Sequence, residues 1–274
     1  MLTSRGCDDG PVRLPVLSSD CSRCSGLCCV LLPFSRDDGF GVTKGGGTPC
    51  HNLAGDDSCR IHATLRTDGW VGCTRFECFG AGQHVTQVTY AGASWREVAD
   101  LGEMAAVLSV VRALHEMLLH LRTAADRAPD LVPDALVREI VALDGADPVT
   151  LLTADLDDLH ERVGTVLHRA STAVRAGLGG ADLARADLAG QDLRGRDLAG
   201  ATLRGALLIR ADLRGLRLLD TDLLGADLRD ADVRGCDLAS TLFLTQPQVN
   251  AAIGDATTVL PAGLDRPGHW QGRH

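Results

Sequence analysis

Aromatic side chains are scarce in this chain of 274 residues: Phe, Tyr and Trp together make up 3%. Any core must therefore be built mainly from Leu, Val and Ala. Lysine is nearly absent, with Lys44 alone against 26 arginines, which reads as codon bias rather than chemistry. No apolar run approaches the length of about 18 residues that a membrane span requires. The opening "MLTSRGCDDGPVRLPVLSSD" has no stretch suited to a signal peptide. The expectation is a cytoplasmic protein with no membrane contact. No P-loop, dinucleotide fingerprint or Ser/His/Asp set is present, so an enzymatic reading has no substrate class to attach to. The net charge of −9 is concentrated in residues 94–180, which carry 14 acidic and 8 basic side chains. No basic patch stands out, so direct nucleic-acid binding is not expected.

What the chain does have is cysteine. Nine of its ten lie in the first 78 residues. In a reducing compartment such a cluster favours metal or redox chemistry over disulfides. The spacing is Cys21-x2-Cys24-x3-Cys28-Cys29, followed by Cys50, Cys59, Cys73 and Cys78, with His51, His62 and His84 interspersed. Eight thiols suffice for two four-ligand sites. If the backbone is extended there, adjacent Cys28 and Cys29 project in different directions, so one of them serves another site or packs in the core. Cys7 is too isolated to assign. His115, His120, His160 and His168 fall on helical segments and are not expected to be ligands. Residues 1–93 are loop-rich and broken by Gly and Pro, as in "DDGFGVTKGGGTPC", and a metal would supply stability that such a segment lacks.

The stretches "CSRCSGLCC", "TPCHNL", "CRIHATLR" and "GCTRFEC" resemble the CxxCxxCC family of zinc- or iron-chelating (YkgJ-like) proteins over about residues 20–90. The resemblance implies Cys21, Cys24, Cys28, Cys29, Cys50, Cys59, Cys73 and Cys78 as ligands, with His51, His62 and His84 as weaker candidates. The cofactor would be zinc or iron, in up to two ions, and an iron–sulfur cluster is compatible with the same donors.

At Ser94 the character changes. Ser94 and Glu97 have the spacing of a capping box that opens a helix running to about Ala125. Its polar stripe is Ser109, Arg112, Glu116 and His120. Pro133 marks the first turn of a short helix ending near Gly145. A third helix follows, with Leu156, Leu159, Val163, Val166, Leu167, Ala170 and Val174 on one face, and Gly177, Gly179 and Gly180 end it.

From 181 to 245 the period becomes five, from ADLAR to TLFLT. The third place is Leu in eleven of thirteen units and the second is Asp in nine. A period of five fits neither a helix nor a flat strand, but it suits a square solenoid. This segment resembles the pentapeptide-repeat family, consensus A(D/N)LxX. The resemblance implies a right-handed quadrilateral β-helix of four pentads per coil, here about 15 Å long at the usual strand spacing. Gln191 and Arg196 occupy inward first places and are expected to escape through the open N-terminal end or to pair with the helices. Leu216, oversized in the same column as Arg196, is expected to cause a local bulge. Arg194, Arg214 and Arg234 should stack beside Asp192, Asp212 and Asp232 as a self-neutralising lattice. The helices are expected to cover one apolar end of the solenoid and the tail the other, through Phe243, Val249, Ile253, Leu260, Leu264 and Trp270.

The expected fold class is thus α+β and multidomain: a Cys-rich metal-stapled domain (1–93), a helical segment (94–180), the pentapeptide β-helix (181–245) and a C-terminal cap (246–274). The expected function is a metal-binding protein acting as a binding or regulatory module with a protein partner. The alternative is a metalloenzyme using iron or zinc in the Cys-rich domain. Some relatives of the repeat mimic DNA and protect DNA gyrase; the short, charge-balanced stack here, with 9 basic and 11 acidic residues, argues against that. Oligomeric state is open.

Overall fold

A computed structural model describes residues 12–270, which leaves Cys7 and His274 outside the described residues. Those residues form eight α-helices: α1 (Leu27–Leu31), α2 (Val71–Arg75), α3 (Ala81–His84), α4 (Leu101–Arg127), α5 (Asp134–Asp144), α6 (Pro148–Thr153), α7 (Leu156–Arg175) and α8 (Gln246–Ala251).

Helix α4 is the axis of the first half, with α1, α3, α5, α6 and α7 packed around it. It opens later than the sequence suggests. Ser94 and Glu97 do make the expected local bond, Ser94 N–H to Glu97 Oε2 at 2.8 Å. However, Asp57 holds the Trp95 indole N–H at 3.2 Å and the Arg96 guanidinium at 2.7 Å, which fixes this stretch as a turn. The helix is instead capped by Asp100, whose carboxylate accepts from the N–H groups of Gly102 and Glu103. By length and composition α4 is apolar enough to cross a membrane, contrary to the sequence reading, and 56% of its most apolar window is buried inside the protein. Helix α5 ends at its C-cap Gly145 as expected, but Pro133 is its extended N-cap rather than a residue of the first turn; α6 was not anticipated.

The Cys-rich segment does not stand apart from the helices. Leu17, Leu27, Val30, Leu31, Ala81 and Val85 share one apolar core with Met104, Leu108, Leu114, Leu118, Val163 and Leu167. A second, small cluster of Phe34, Cys50 and Trp70 belongs to the Cys-rich segment alone.

In the repeat segment the chain returns on itself every twenty residues. Asp182 pairs with Thr202, Thr202 with Asp222 and Asp222 with Leu242; parallel pairings also link Asp187, Leu207 and Asp227, and Asp192, Asp212 and Asp232. These are single-residue bridges, and no longer strand occurs among the described residues. Each pentad has the same internal logic. The second-place Asp accepts from the N–H two residues on, as Asp182 does from Ala184 at 3.1 Å, and all nine such Asp residues do so. The third-place Leu turns inward. In the first eleven pentads the fifth residue then takes a left-handed φ, +67° at Gly190 and +75° at Gly195, and the next N–H closes an i to i+3 turn, as Gln191 does to Leu188 at 3.1 Å. Fully buried Leu193, Leu203, Leu208 and Leu213 form the spine, each contributing about 1.5–3 kcal/mol.

The departures behave as their chemistry demands. Gln191 and Arg196 are both exposed. The pairing that would join Asp197 to Arg217 is missing from the ladder among the described residues, beside the buried Leu216. Arg194 lies between Asp192 and Asp212, and Arg214 between Asp212 and Asp232, giving the expected surface lattice.

The helices do not cover an end of the solenoid; α7 lies along one of its faces. Arg204 donates to the Leu167 carbonyl at 2.8 Å, and Arg175 donates to the Gly200 carbonyl at 3.1 Å. Phe243 leaves the solenoid interior, with φ at +61°, and joins Leu242 in the helical core. It therefore does not help close the C-terminal end. Val249 and Trp270 do, together with Leu244 and Ala252, with Leu260 and Leu264 packed against them. Ile253 stays 40% exposed and contributes a backbone bridge to Asp232 instead.

Candidate metal centre

The eight described cysteines of the N-terminal segment fall into two groups of four by what they line, pack against or face. Cys21, Cys24, Cys28 and Cys78 line one cavity of about 30 Å³, which Gly82 of α3 also borders. A Cβ at Gly82 would stand 2.8 Å from Cys24 Sγ and 3.6 Å from Cys78 Sγ, so a side chain there would invade the thiols. Cys21 follows Asp20, whose carboxylate accepts from the Ser22 N–H and fixes the turn that carries Cys21. Ser19 Oγ lies 2.9 Å from Cys78 Sγ.

The other group is Cys29, Cys50, Cys59 and Cys73. Cys29, Cys50 and Cys73 pack with Phe34 and Trp70. Cys50 donates its N–H to the Cys29 carbonyl at 2.9 Å. Cys73 feels the charges of Cys29, Cys50 and Cys59. The two groups meet at α1, which is helical where an extended backbone was assumed. Its successive residues Cys28 and Cys29 supply one thiol to each group.

Burial is the dominant influence on five of these thiols. It pushes the Cys21 thiol up to about 11, although the residue as a whole is exposed, pushes Cys73 up to about 12, and raises Cys24, Cys50 and Cys59 in the same direction. Cys28 donates to Cys29, which raises Cys28 and lowers Cys29, and Lys44 lowers Cys29 further. An incoming cation must therefore expel protons from most of the set.

Lys44 is the residue that composition misjudged. Its ammonium donates to the carbonyls of Leu32 at 2.5 Å, Val30 at 3.2 Å and Gly45 at 3.4 Å, and lies 4.3 Å from the centre of the Phe34 ring. Three donors on a compact tip suit three converging carbonyls in a way that a flat guanidinium does not. Its positive charge faces Cys50, Cys29, Cys28 and Cys73. The chain's sole lysine is thus placed to offset negative charge on thiolates.

The structure shows the surroundings of the three histidines. His51 is exposed, its ring 5.4 Å from that of Trp70, and His62 is exposed in a short 3-10 turn. His84 lies with His115 and Asp144. Among the described residues, that trio is the one set of three or more His, Cys, Asp or Glu donors whose ligand atoms lie within 4.8 Å of one another. Sulfurs bound to a single zinc ion lie about 3.8 Å apart, so the thiols here stand wider than a closed zinc tetrahedron. Their donor chemistry suits a soft cation; their spacing calls for the loops to close around it.

Comparison with known proteins places the repeat segment. The uncharacterized protein YybG of Bacillus subtilis (strain 168) is 46% identical over 265 residues, covering 93% of this chain and 95% of YybG. The family model for pentapeptide repeats matches residues 175–209 and 206–243. The chain belongs to the pentapeptide-repeat family. Among solved structures, this pentapeptide-repeat protein is similar to Rfr23 of the cyanobacterium Cyanothece 51142, at 28% identity and a TM-score of 0.23, over 29% of this chain and 53% of that one. It is also similar to a pentapeptide-repeat protein of the Arabidopsis thaliana thylakoid lumen, at 26% identity and a TM-score of 0.13, over 34% of this chain and 70% of that one.

Proposed function

We propose that this pentapeptide-repeat protein is a cytoplasmic metal-binding protein of binding or regulatory type. Its Cys-rich head takes zinc or iron in two thiol groups and, with the helices, presents a right-handed quadrilateral solenoid to a protein partner. The observation that carries this reading is the division of eight cysteines into two sets of four on either side of Cys28 and Cys29. The likeness of residues 20–90 to the CxxCxxCC chelating proteins supports the same assignment. Lys44 supports it too, since a cation beside four thiolates lowers the net charge of a loaded site.

The division can be tested by native mass spectrometry of single variants. Cys24→Ser and Cys73→Ser should each lose one ion and retain the other, and the double variant should lose both. Identical metal content in all four proteins would overturn the assignment.

A metalloenzyme is the second reading. It is favoured by one feature: the exposed Cys21 borders the cavity of the first group, giving a small molecule an approach to a bound ion. Turnover that disappears in Cys28→Ser, with the circular dichroism preserved, would select it. DNA mimicry has no support at the solenoid surface, where Arg194, Arg214 and Arg234 neutralise the Asp column.

A further inference from the structure

His84 at the end of α3, His115 in the middle of α4 and Asp144 at the end of α5 meet at one buried point. His115 is fully buried and Asp144 is 2% exposed. His115 Nδ1 lies 2.6 Å from the Phe79 carbonyl oxygen, which can only accept, so Nδ1 carries the proton. In the neutral ring Nε2 is then a lone pair, and it faces Asp144 Oδ1 at 3.0 Å. Two acceptors are thus pressed together. If Nε2 were protonated instead, its N–H would not point along the contact: both His115 Nε2 and Asp144 Oδ1 are buried without a hydrogen-bond partner. Buried polar atoms left in this way call for a bound water or ion.

The electrostatics point to a cation. Asp144 ends α5, where the helix presents its negative pole. The only ion-pair partners that its carboxylate has among the described residues are the two imidazoles. A buried carboxylate left without a cation is strongly destabilising. The separations suit an ion as well. His84 Nε2 stands 3.5 Å from Asp144 Oδ2, and His115 Nε2 stands 3.0 Å from Oδ1. Two ligands each about 2.1 Å from zinc are about 3.0 Å apart at a right angle and about 3.4 Å apart at the tetrahedral angle. His84 Nε2 is also 3.0 Å from the Asp144 carbonyl oxygen, a contact that the ion would replace.

We infer that His84, His115 and Asp144 form a binding site for a divalent first-row transition ion, zinc by donor type, which clamps the Cys-rich segment to the helices. The Phe79 carbonyl is its orienting partner, holding His115 with Nε2 towards the ion. The site shares no ligand with the thiol groups, so it stands whether or not they are loaded.

The test is cobalt(II) and zinc loading of the full-length protein, with the ions counted by native mass spectrometry. Thiolate-bound cobalt gives intense sulfur-to-metal charge transfer; cobalt held by nitrogen and oxygen gives only weak visible bands. Asp144→Asn and His115→Gln should each lose one ion with the charge-transfer intensity unchanged, while Cys73→Ser should retain that ion. An unchanged count in folded Asp144→Asn would overturn the site. Should both variants fail to fold, nitrogen NMR of the wild-type histidines decides. A metal-shifted, unprotonated Nε2 on His115 in the presence of zinc is expected; an imidazolium with both nitrogens protonated would overturn the inference.

Discussion

The hydroxyl of Ser171, on α7, lies 2.5 Å from the Asp222 carboxylate, and both residues are wholly buried. Asp222 occupies the second place of its pentad, in a column where its neighbours Thr202 and Leu242 are buried too, whereas the second-place Asp residues of the other columns are at least partly exposed. Here it also takes the Arg204 guanidinium at 2.5 Å and the Leu224 N–H at 3.0 Å. Asp222→Ala would leave a half-buried guanidinium without its partner and should destabilise the protein by about 3–5 kcal/mol. Arg194→Ala, in the exposed lattice, should be nearly silent. Urea denaturation of the two variants checks the contrast.

His120 lies against the same interface, its ring edge-on to Phe243 at 5.7 Å. Burial lowers it to about 4, Asp222 opposes that shift and Arg204 reinforces it. Because the folded state binds a proton less readily than the unfolded chain, this stability is present above about pH 6.5 and is lost as pH falls towards 4. The loss should be on the order of 3 kcal/mol, and His120→Leu should remove that acid limb. Denaturant midpoints between pH 7 and pH 4.5 measure it.

Lys44→Arg and Lys44→Met should both weaken zinc binding at Cys29, Cys50, Cys59 and Cys73, by roughly 10- to 100-fold, the usual effect of losing an outer-sphere partner. The arginine variant tests the shape of the ammonium and the methionine variant its charge. Competition with a chromophoric chelator gives the change in affinity. Equal affinity in all three proteins would remove Lys44 from the site.

The turn glycines differ in a measurable way. At Gly195 (φ +75°) an added Cβ meets nothing within 4 Å, whereas at Gly200 (φ +64°) it would stand 2.5 Å from Leu178 Cβ. Gly195→Ala should cost about 1 kcal/mol from the left-handed backbone alone. Gly200→Ala should cost about 3 kcal/mol, because Leu178 must also move. Thermal unfolding of the pair separates backbone strain from packing.

The solenoid was legible because each pentad carries its own instructions: an Asp that fixes the turn, a Leu that points inward and a fifth residue that tolerates a left-handed φ. Helix α5 was legible for the same reason, with its Pro and Gly boundaries written locally. The start of α4 was not. Ser94 and Asp100 are both competent caps, and what decides between them is Asp57, about forty residues away in sequence, holding Trp95 and Arg96. His115 looked like a core residue of its own helix, since its partners come from α3 and α5. Lys44 was hidden by composition: its three acceptors are backbone carbonyls, which leave no trace in residue identity. Phe243 sat in an inward place of the repeat, but the helical core beside it claimed the ring.

The most direct test of the account is to titrate the protein, as isolated with reduced thiols, with a thiol-specific mercurial and to follow released zinc and iron. Two ions freed as the eight cysteines of residues 21–78 are blocked is the expected result. Eight thiols that react at once with no metal released, in a folded preparation, would contradict it.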